Sequence, residues 1–374
     1  MEPRLALCGN VFRADSAQQA LAALHGPVAQ WRRQLAAAGY AAPPGYGLYL
    51  SAAAAAEIRH DGAQLALLQQ AIRAAGVVVW TANAFPVGGF HGARVKERAF
   101  LPDWRSDERL QFTRDVAEIL ARLLPAGSSG SLSTCPLGYG PEARAAEPAW
   151  DRLQRAHDFL LDLERRSGVR LILALEPEPD GAFERAGALC AALAQRLYRD
   201  LAPPQRRVGL CWDLCHSAVV GETPQELLAA AEMHGIPIGK VQVSAALHAR
   251  EPGAAPAAER LRALAEDPYF HQARGTRHDG RPCAFADLPA LLAAGDVARA
   301  RIHCHVPLHR RDFGAGLRAT DWRAPLRRAR QAGIQDFEVE TYTLPVLPAD
   351  FLEREGMVGT MVAEMLACAG ALQA

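Results

Sequence analysis

The sequence predicts an α/β protein and, within that class, a closed (β/α)8 TIM barrel. Short apolar, β-rich runs alternate with Ala-, Leu- and Arg-rich stretches of helical spacing, about eight times along the chain. Such alternation is typical of a parallel sheet covered by helices. The chain has 374 residues, 50% of them hydrophobic, whereas a typical barrel needs about 250 residues. We therefore predict a single domain spanning residues 1–374, with the surplus in long βα loops.

The strand candidates number one more than a closed barrel of eight requires. Either the run at 239–247 or the run at 300–308 is an extra strand, or the two form one broken barrel strand. The candidates lie at residues 5–12, 46–51, 76–86, 130–139, 169–179, 207–219, 239–247, 300–308 and 336–344.

The stretches between these runs contain helix signals and two long loops. Ser106 is a suitable N-cap, the acidic Asp107 and Glu108 suit a first helical turn, and Pro125 ends the helix. Insertions that read as loops lie at about 84–105 and 248–300. Loops of this length without secondary structure are usually functional or disordered.

A doubly wound open sheet is the alternative fold. It would require a G-x-G-x-x-G turn after the first strand. The chain has "CGNVFRADS" at that place, and it contains neither a P-loop nor a G-x-S-x-G nucleophile elbow. The closed barrel is therefore the better interpretation.

Composition narrows the function classes. Lys plus Arg and Asp plus Glu each number 41, which argues against nucleic acid or an anionic membrane as the main partner. No signal peptide or membrane span is apparent. Eight scattered cysteines without a CxxC pair are typical of reduced thiols. We expect a cytoplasmic protein with a small-molecule metabolite as its partner; the oligomeric state, homo-oligomer included, stays open.

Polar side chains gather where the later strands end. In a parallel barrel the carboxyl ends of all strands meet at one mouth, where active sites lie. Carboxylates, imidazoles and an amide at that mouth would form a mixed O/N site suited to Mn²⁺, Zn²⁺, Mg²⁺, Co²⁺ or Fe²⁺. The residues are Glu176, Glu178, Asp213, His216, Gln242, His303, His305 and Glu340.

Each of these residues also has a structural explanation. Asp213 could cap a helix, His216 could bond a backbone carbonyl, and Glu178 could be a solvated strand exit. His303 and His305 would share one face if they lie on a strand, because side chains repeat every second residue. Clusters at four consecutive strand ends together favour a site over coincidence.

The earlier strand ends carry a second polar and aromatic group. The segment 85–104 mixes glycines, aromatic residues and basic residues, and it is either a surface loop or a wall over the substrate. We favour the wall. The substrate-binding candidates there are Trp80, Asn83, His91, Arg94 and Lys96.

Four of the strand ends resemble those of a known superfamily. "LALEPEP", "CWDLCH", "VQVS" and "VETYT" are similar to the metal-binding strand ends of xylose isomerase-like TIM barrels, a group with sugar isomerases, ketose 3-epimerases, hydroxypyruvate isomerase and endonuclease IV. The resemblance implies a divalent metal ion. The matching positions are Glu176, Asp213, His216, Gln242 and Glu340.

A closer resemblance covers the chain from about Cys8 to Tyr342. "FPVGGFHGARVKERAFLPDW", "STCPLGYG", "LEPEPDG", "WDLCHSAV", "HCHVPL" and "VETYT" look like the family of metabolite traffic protein EboE. That resemblance implies a part in processing or moving a secondary metabolite, and it implies no particular reaction.

The leading hypothesis is a metal-dependent isomerase or epimerase acting on a sugar-like or hydroxy-carbonyl metabolite. Glu176 and Glu340 would exchange the proton, as the resemblance implies, and His216 would position the substrate. Glu178 and His305 would face the substrate. The metal ligands would be Glu176, Asp213, Gln242, His303 and Glu340, and whether Gln242 or the His303/His305 pair completes the shell is open.

Two other functions are weighed against it. The barrel could bind and carry a metabolite without turning it over. It could also be a phosphodiesterase similar to endonuclease IV, which the additional histidines favour slightly and the neutral net charge opposes.

Overall fold

Eight parallel strands close into a barrel in the order β1-β14-β7-β6-β5-β4-β3-β2, which confirms the predicted fold class. The computed structural model describes residues 2–88, 96–265, 269, 271–354 and 356–373. The strands are β1 (Arg4–Cys8), β2 (Gly45–Tyr49), β3 (Thr81–Asn83), β4 (Ser129–Thr134), β5 (Arg170–Leu175), β6 (Val208–Asp213), β7 (Ile238–Val243), β8 (Leu247–Arg250), β9 (Ala273–Arg277), β10 (Pro282–Phe285), β11 (Val297–Ile302), β12 (Asp312–Gly314), β13 (Leu317–Ala319) and β14 (Asp336–Val339).

Helices follow most barrel strands and form the outer layer. Their caps are those the sequence indicates: the Ser106 side chain accepts a hydrogen bond from the Glu108 amide at the start of α5. The helices are α1 (Ala17–Ala23), α2 (Ala29–Ala37), α3 (Ala52–His60), α4 (Gly62–Ala75), α5 (Asp107–Leu123), α6 (Glu147–Ser167), α7 (Ala186–Arg196), α8 (Leu214–Val220), α9 (Pro224–His234), α10 (Ala255–Ala265), α11 (Leu288–Ala294), α12 (Arg323–Gln331) and α13 (Gly356–Gln373).

The barrel interior contains a buried ion pair. The ammonium group of Lys240 on β7 contacts the Glu338 carboxylate on β14, and neither side chain is exposed. A Cβ atom at Gly47 would lie 1.6 Å from Glu338 Oε1, so this position needs glycine to leave room for the carboxylate. Glu338 is therefore packed inside the barrel, whereas Glu340 lies two residues further along, at the mouth.

A second sheet is inserted between β7 and β14. It is antiparallel, with the strand order β10-β9-β11-β8-β13-β12. The segment 248–300, predicted to be a long loop, is thus largely strand and helix, and the sheet continues to residue 319. The extra strand candidate is resolved as well: the 300–308 run begins in β11 of this sheet, whereas the 239–247 run is the barrel strand β7.

The last helix, α13, is apolar. Among the described residues it is the helix that by length and composition could cross a membrane, with a mean hydropathy of 1.2. It packs against α2, α12 and β1. It also buries the carboxyl group of Glu364, which accepts hydrogen bonds from the Leu308 amide and the Thr341 hydroxyl. These contacts are those of a helix that completes the barrel wall.

Candidate metal centre

Glu176 and Glu178 leave β5 on the same side of the chain. The Glu176 amide bonds the Thr134 carbonyl, and the Glu178 amide bonds the Phe183 carbonyl. In extended backbone, alternate residues point the same way. Both carboxylates are buried, with 4% and 9% of their surface exposed, and both line one cleft. A solvated strand exit therefore does not describe Glu178.

Asp213 has the capping role that its position suggests, and an additional one. One carboxylate oxygen accepts from the His216 amide at 2.8 Å and from the Ser244 hydroxyl at 2.9 Å. The other oxygen, Oδ2, is buried without a hydrogen-bond partner in the described part of the chain. A buried charged oxygen without a partner is costly, so Asp213 Oδ2 has the environment of a ligand atom.

Glu340 is held by the first and third strand ends. Its Oε1 atom accepts hydrogen bonds from Asn10 Nδ2 at 2.8 Å and Asn83 Nδ2 at 3.1 Å. The Asn83 side-chain oxygen in turn accepts from the Phe85 amide, which fixes the direction of the asparagine amide. The two asparagines therefore orient Glu340 across the mouth.

His303 and His305 enter the site from the inserted sheet. They follow β11 and do not lie in it, so the predicted shared strand face is not what pairs them; nevertheless their ring centroids are 5.5 Å apart. His305 Nδ1 faces the Glu340 carbonyl at 2.8 Å. Its Nε2 atom is buried without a hydrogen-bond partner among the described residues.

One group of atoms fits a divalent metal ion. Oxygens of Glu176, Asp213 and Glu340 lie within 4.8 Å of one another. Asp213 also belongs to a second group with His216 and His305, whose ligand atoms lie within the same distance of one another. Three atoms of these two groups, Glu176 Oε2, Asp213 Oδ2 and His305 Nε2, are buried without a hydrogen-bond partner in the part of the chain that the structure describes. Three crowded carboxylates repel one another unless a cation or protons neutralise them.

The electrostatics follow from this crowding. Burial, followed by the charges of Glu340 and Asp213, raises the pKa of Glu176 well above its ordinary value. Burial and the Asp213 charge do the same to the pKa of Glu340. Burial opposes ionisation of Asp213, but the facing His216 and His305 and the hydrogen bonds it accepts hold its pKa below the usual value.

A neighbouring group contains Glu178, His216 and His303, whose ligand atoms also lie within 4.8 Å of one another. His216 Nδ1 is 3.1 Å from the Pro177 carbonyl oxygen, and His303 Nδ1 is 2.8 Å from Gln272 Oε1. The Nε2 atoms of the two histidines face each other at 2.9 Å. Burial lowers the pKa of His216 to about 4 and that of His303 well below its usual value.

Gln242 already has a partner for the atom that could bind a metal. It lies fully buried on β7, and its Oε1 accepts a hydrogen bond from the Cys211 thiol at 3.0 Å. His305, for which the sequence predicts contact with substrate, contributes an atom to a group of possible metal ligands with Asp213 and His216.

The cleft above these groups has about 550 Å³ of empty space, including its open mouth. Polar groups form its floor, and aromatic side chains form its wall; Phe85 and Phe100 meet edge to face at 5.2 Å. Tyr269 and Tyr342 are site residues that the sequence analysis did not single out. The lining consists of Asn10, Asn83, Phe85, Pro86, Ala99, Phe100, Glu176, Glu178, His216, Tyr269, His303, Glu340 and Tyr342.

The remaining substrate-binding candidates do not all lie at the cleft. Asn83 lines the cleft, whereas Trp80 lies at the amino end of β3 with the Arg4 guanidinium 4.6 Å from its ring. Because Arg4 begins β1, Trp80 lies at the barrel end opposite the mouth, so the expectation that it contacts substrate does not fit its position. His91, Arg94 and the side chain of Lys96 lie outside the described residues.

A buried arginine that the sequence analysis did not identify supports the aromatic wall. Arg109 of α5 is fully buried, and its guanidinium donates to the carbonyls of Ala84, Phe85, Phe100 and Pro102. These four carbonyls belong to both ends of the 84–105 insertion. Arg109 therefore ties the two ends together beside the cleft.

Comparisons with known proteins find solved structures that are similar to this chain. The D-allulose 3-epimerase from Methylomonas sp. is 14% identical, with 92% of this chain and 87% of that chain covered and a TM-score of 0.48. The IOLI protein with a binding zinc atom is 12% identical, with 99% and 98% covered and a TM-score of 0.49. At these identities the likenesses carry no information about activity. No curated protein gives a significant match.

The family assignment comes from the sequence itself. Residues 35–342 match the family model described as xylose isomerase-like TIM barrel. The matched region includes the barrel from the second strand to the exit of β14 and every proposed carboxylate ligand. The chain belongs to the xylose isomerase-like TIM barrel family.

Proposed function

We propose that the protein is a divalent-metal-dependent isomerase or epimerase acting on a sugar-like or hydroxy-carbonyl metabolite. The observation that carries the proposal is the convergence of ligand atoms of Glu176, Asp213 and His305 beside Glu340, each buried without a hydrogen-bond partner among the described residues. Glu176 and Glu340 also line the cleft. Three carboxylate residues and one imidazole form an O/N donor set suited to Mn²⁺, Zn²⁺, Co²⁺ or Fe²⁺.

His305 is the proposed nitrogen ligand, in place of Gln242 or His303. Its Nδ1–H donates to the Glu340 carbonyl, which leaves the Nε2 lone pair available. Metal-bound histidines usually donate their other ring N–H to such an acceptor, which fixes tautomer and ring orientation. A bound metal would polarise the carbonyl and hydroxyl oxygens of the substrate.

Glu176 and Glu340 are the proposed acid–base pair. They come from β5 and β14, so they approach the cleft from different directions. One carboxylate would remove the proton on the carbon next to the carbonyl, and the other would return a proton to the opposite face or the neighbouring atom. Burial and the neighbouring carboxylates raise the pKa of both groups above the ordinary value, and shifted pKa values of this kind are typical of groups that transfer protons.

The composition of the cleft supports a small polyhydroxylated substrate. Asn83, Glu178, His216 and His303 offer hydrogen bonds at the floor, and the aromatic wall covers apolar C–H surface. His216 is fixed by the Pro177 carbonyl, which suits a residue that positions substrate.

A second cation position beside the first is also proposed, at Glu178, His216 and His303. Both Nδ1 atoms donate to oxygen acceptors, so both neutral rings present Nε2 lone pairs to each other at 2.9 Å. A cation between them would remove that repulsion. The Tyr342 hydroxyl, 3.4 Å from His303 Nε2, is a weaker alternative partner.

The alternative function is metabolite binding without turnover, as the resemblance to the EboE family suggests. The same residues would then hold a metal and a ligand. The two functions differ in proton exchange: an isomerase or epimerase exchanges the substrate hydrogen next to the carbonyl with solvent or passes it between carbons, and a carrier does neither.

The experiment is a panel of ketoses and hydroxy-carbonyl compounds incubated with metal-loaded protein in D₂O and followed by NMR. We expect deuterium incorporation or epimer formation by the wild type and loss of both in Glu340→Gln. Glu222→Gln is the matched control, because Glu222 is buried on the outer layer, where it bonds the Ala186 and Gly187 amides. Metal binding without exchange on any compound would favour the carrier.

A further inference from the structure

The outer face of the inserted sheet has an unusual row of basic side chains. In the antiparallel register, Arg301 on β11 lies opposite both His248 on β8 and Arg274 on β9, and His248 lies opposite Arg318 on β13. Directly opposed residues point to the same face of a sheet. Four strands therefore present one continuous row of four basic residues.

A second row lies two residues further along the strands. Arg299 is opposite Arg250 and Thr276, and the spacing of two residues keeps it on the same face. The opposite face is apolar and buried, with Leu247, Ala249, Ala300 and Ile302. The basic face is therefore the outer face, and the sheet presents its charge there in two adjacent rows.

Few acidic groups neutralise these rows. Arg274 is paired with Asp180 and Glu184, and Arg318 approaches Asp312 at 3.7 Å. Within the described part of the chain, Arg250, Arg299 and Arg301 make no ion pair. Like charges directly opposite on a sheet destabilise it. The fold therefore keeps a destabilising charge arrangement that a bound anion would relieve.

The basic face is concave and separate from the metal centre. A groove with about 1520 Å³ of empty space, including its open mouth, is lined by His248, Arg274 and Arg301 of the first row and by Arg299 of the second. Glu184, Arg185, Val219, Val220 and the segment 282–284 bound it. Burial, then the charges of Arg299 and Arg185, lowers the pKa of Arg301. Among the residues that the structure describes, none lines both this groove and the metal cleft.

We propose that this groove binds a small anion carrying two or more phosphate groups. Guanidinium groups bind phosphate oxygens in bidentate fashion, and adjacent strands, about 4.8 Å apart, space them to contact successive phosphates. The bounded shape suits a compact ligand. Nucleic acid fits less well, because the described residues of the lining include no aromatic side chain on which a base could stack, and the net charge is zero.

The test is calorimetric titration of the full-length protein with inorganic tripolyphosphate in low-chloride buffer, with inorganic phosphate as the single-group comparison. We expect saturable binding that is at least tenfold tighter for tripolyphosphate, and a thermal stabilisation that grows with its concentration. The Arg299→Ala/Arg301→Ala variant should lose at least tenfold in affinity. Without ligand it should be as stable as the wild type or more stable, because a like-charge contact is gone.

Arg277→Ala is the control, because Arg277 is on β9 of the same sheet, pairs with Asp296 and does not line the groove. The Arg299→Lys/Arg301→Lys variant keeps the charge and loses the bidentate geometry, so it should bind with intermediate affinity. Absence of saturable binding, equal loss in Arg277→Ala, or tighter binding of duplex DNA or poly-glutamate at matched salt would overturn the proposal.

Discussion

His216 Nε2 lies 2.9 Å from His303 Nε2, although both rings are buried and both Nδ1 atoms face oxygen acceptors. Two facing lone pairs repel each other, and a proton or a cation between the nitrogens would remove that repulsion. Burial lowers the pKa of both imidazoles, so the proton is disfavoured at neutral pH. This contact, together with Glu178, is the basis for the second cation position.

The first prediction concerns metal stoichiometry. Protein loaded with Co²⁺ or Zn²⁺ and desalted is expected to retain about two equivalents, one for each ligand group. His303→Ala should retain about one, because it removes a ligand from the second group and none from the first. Inductively coupled plasma mass spectrometry measures the ratio. His157→Ala is the control, since His157 is buried on α6 away from the cleft. Two equivalents in both variants would contradict the second position.

The second prediction is that Glu176→Gln raises the free energy of unfolding of the metal-free protein and reduces the stabilisation that metal provides. Glu176→Gln removes one of three crowded carboxylates, so the metal-free variant should be more stable than metal-free wild type by about 1–2 kcal/mol. Metal should then stabilise the variant less than it stabilises the wild type. Urea unfolding with chelator and with added metal measures both effects. A variant less stable in both states would show that Glu176 is held by ordinary packing.

The third prediction concerns the asparagines that orient Glu340. Asn83→Ala removes one hydrogen bond to Glu340 Oε1 and keeps that from Asn10. Residues that hydrogen-bond to a metal ligand and orient it typically contribute about 10–100-fold to the metal affinity. We expect a loss of that size, with far-UV circular dichroism unchanged. A competition titration against a chromophoric chelator measures it, and unchanged affinity would show that Glu340 needs no support from Asn83.

The fourth prediction follows from Glu364. Burial raises its pKa to about 7, against an ordinary value of 4.5. The folded state therefore holds a proton that the unfolded state loses, so this contribution is full below pH 4.5 and falls as the pH rises to about 7. Over that window the wild type should lose up to about 3 kcal/mol of unfolding free energy relative to Glu364→Gln. Urea unfolding of chelator-treated protein at several pH values measures the difference. Parallel stability curves for the two proteins would contradict it.

The barrel could be predicted from the sequence because its strands are buried on both faces and end in polar residues. Strand β5 contains five buried residues in a row, and Glu176 follows immediately after its last residue. Parallel strands place such ends together regardless of loop detail. The strand ends at Asp213 and Glu340 were identifiable for the same reason.

The inserted sheet and its consequences could not be predicted in the same way. Its strands are three to six residues long and rich in arginine, for example "LRA" in β13, so they lack the apolar runs that indicate buried strands. Whether His303 or His305 reaches the carboxylates depends on how β11 packs on the barrel. The predicted position of Trp80 at the mouth does not match the structure, because an apolar run does not show at which residue the strand begins.

The ligand assignment is best tested by a crystal structure of protein soaked with Mn²⁺ or Zn²⁺, with anomalous difference maps at the metal edge. We expect a peak about 2.0–2.3 Å from His305 Nε2 and from oxygens of Glu176, Asp213 and Glu340. A site occupied through Gln242 with His305 unbound, or no peak among these carboxylates at saturating metal, would contradict it.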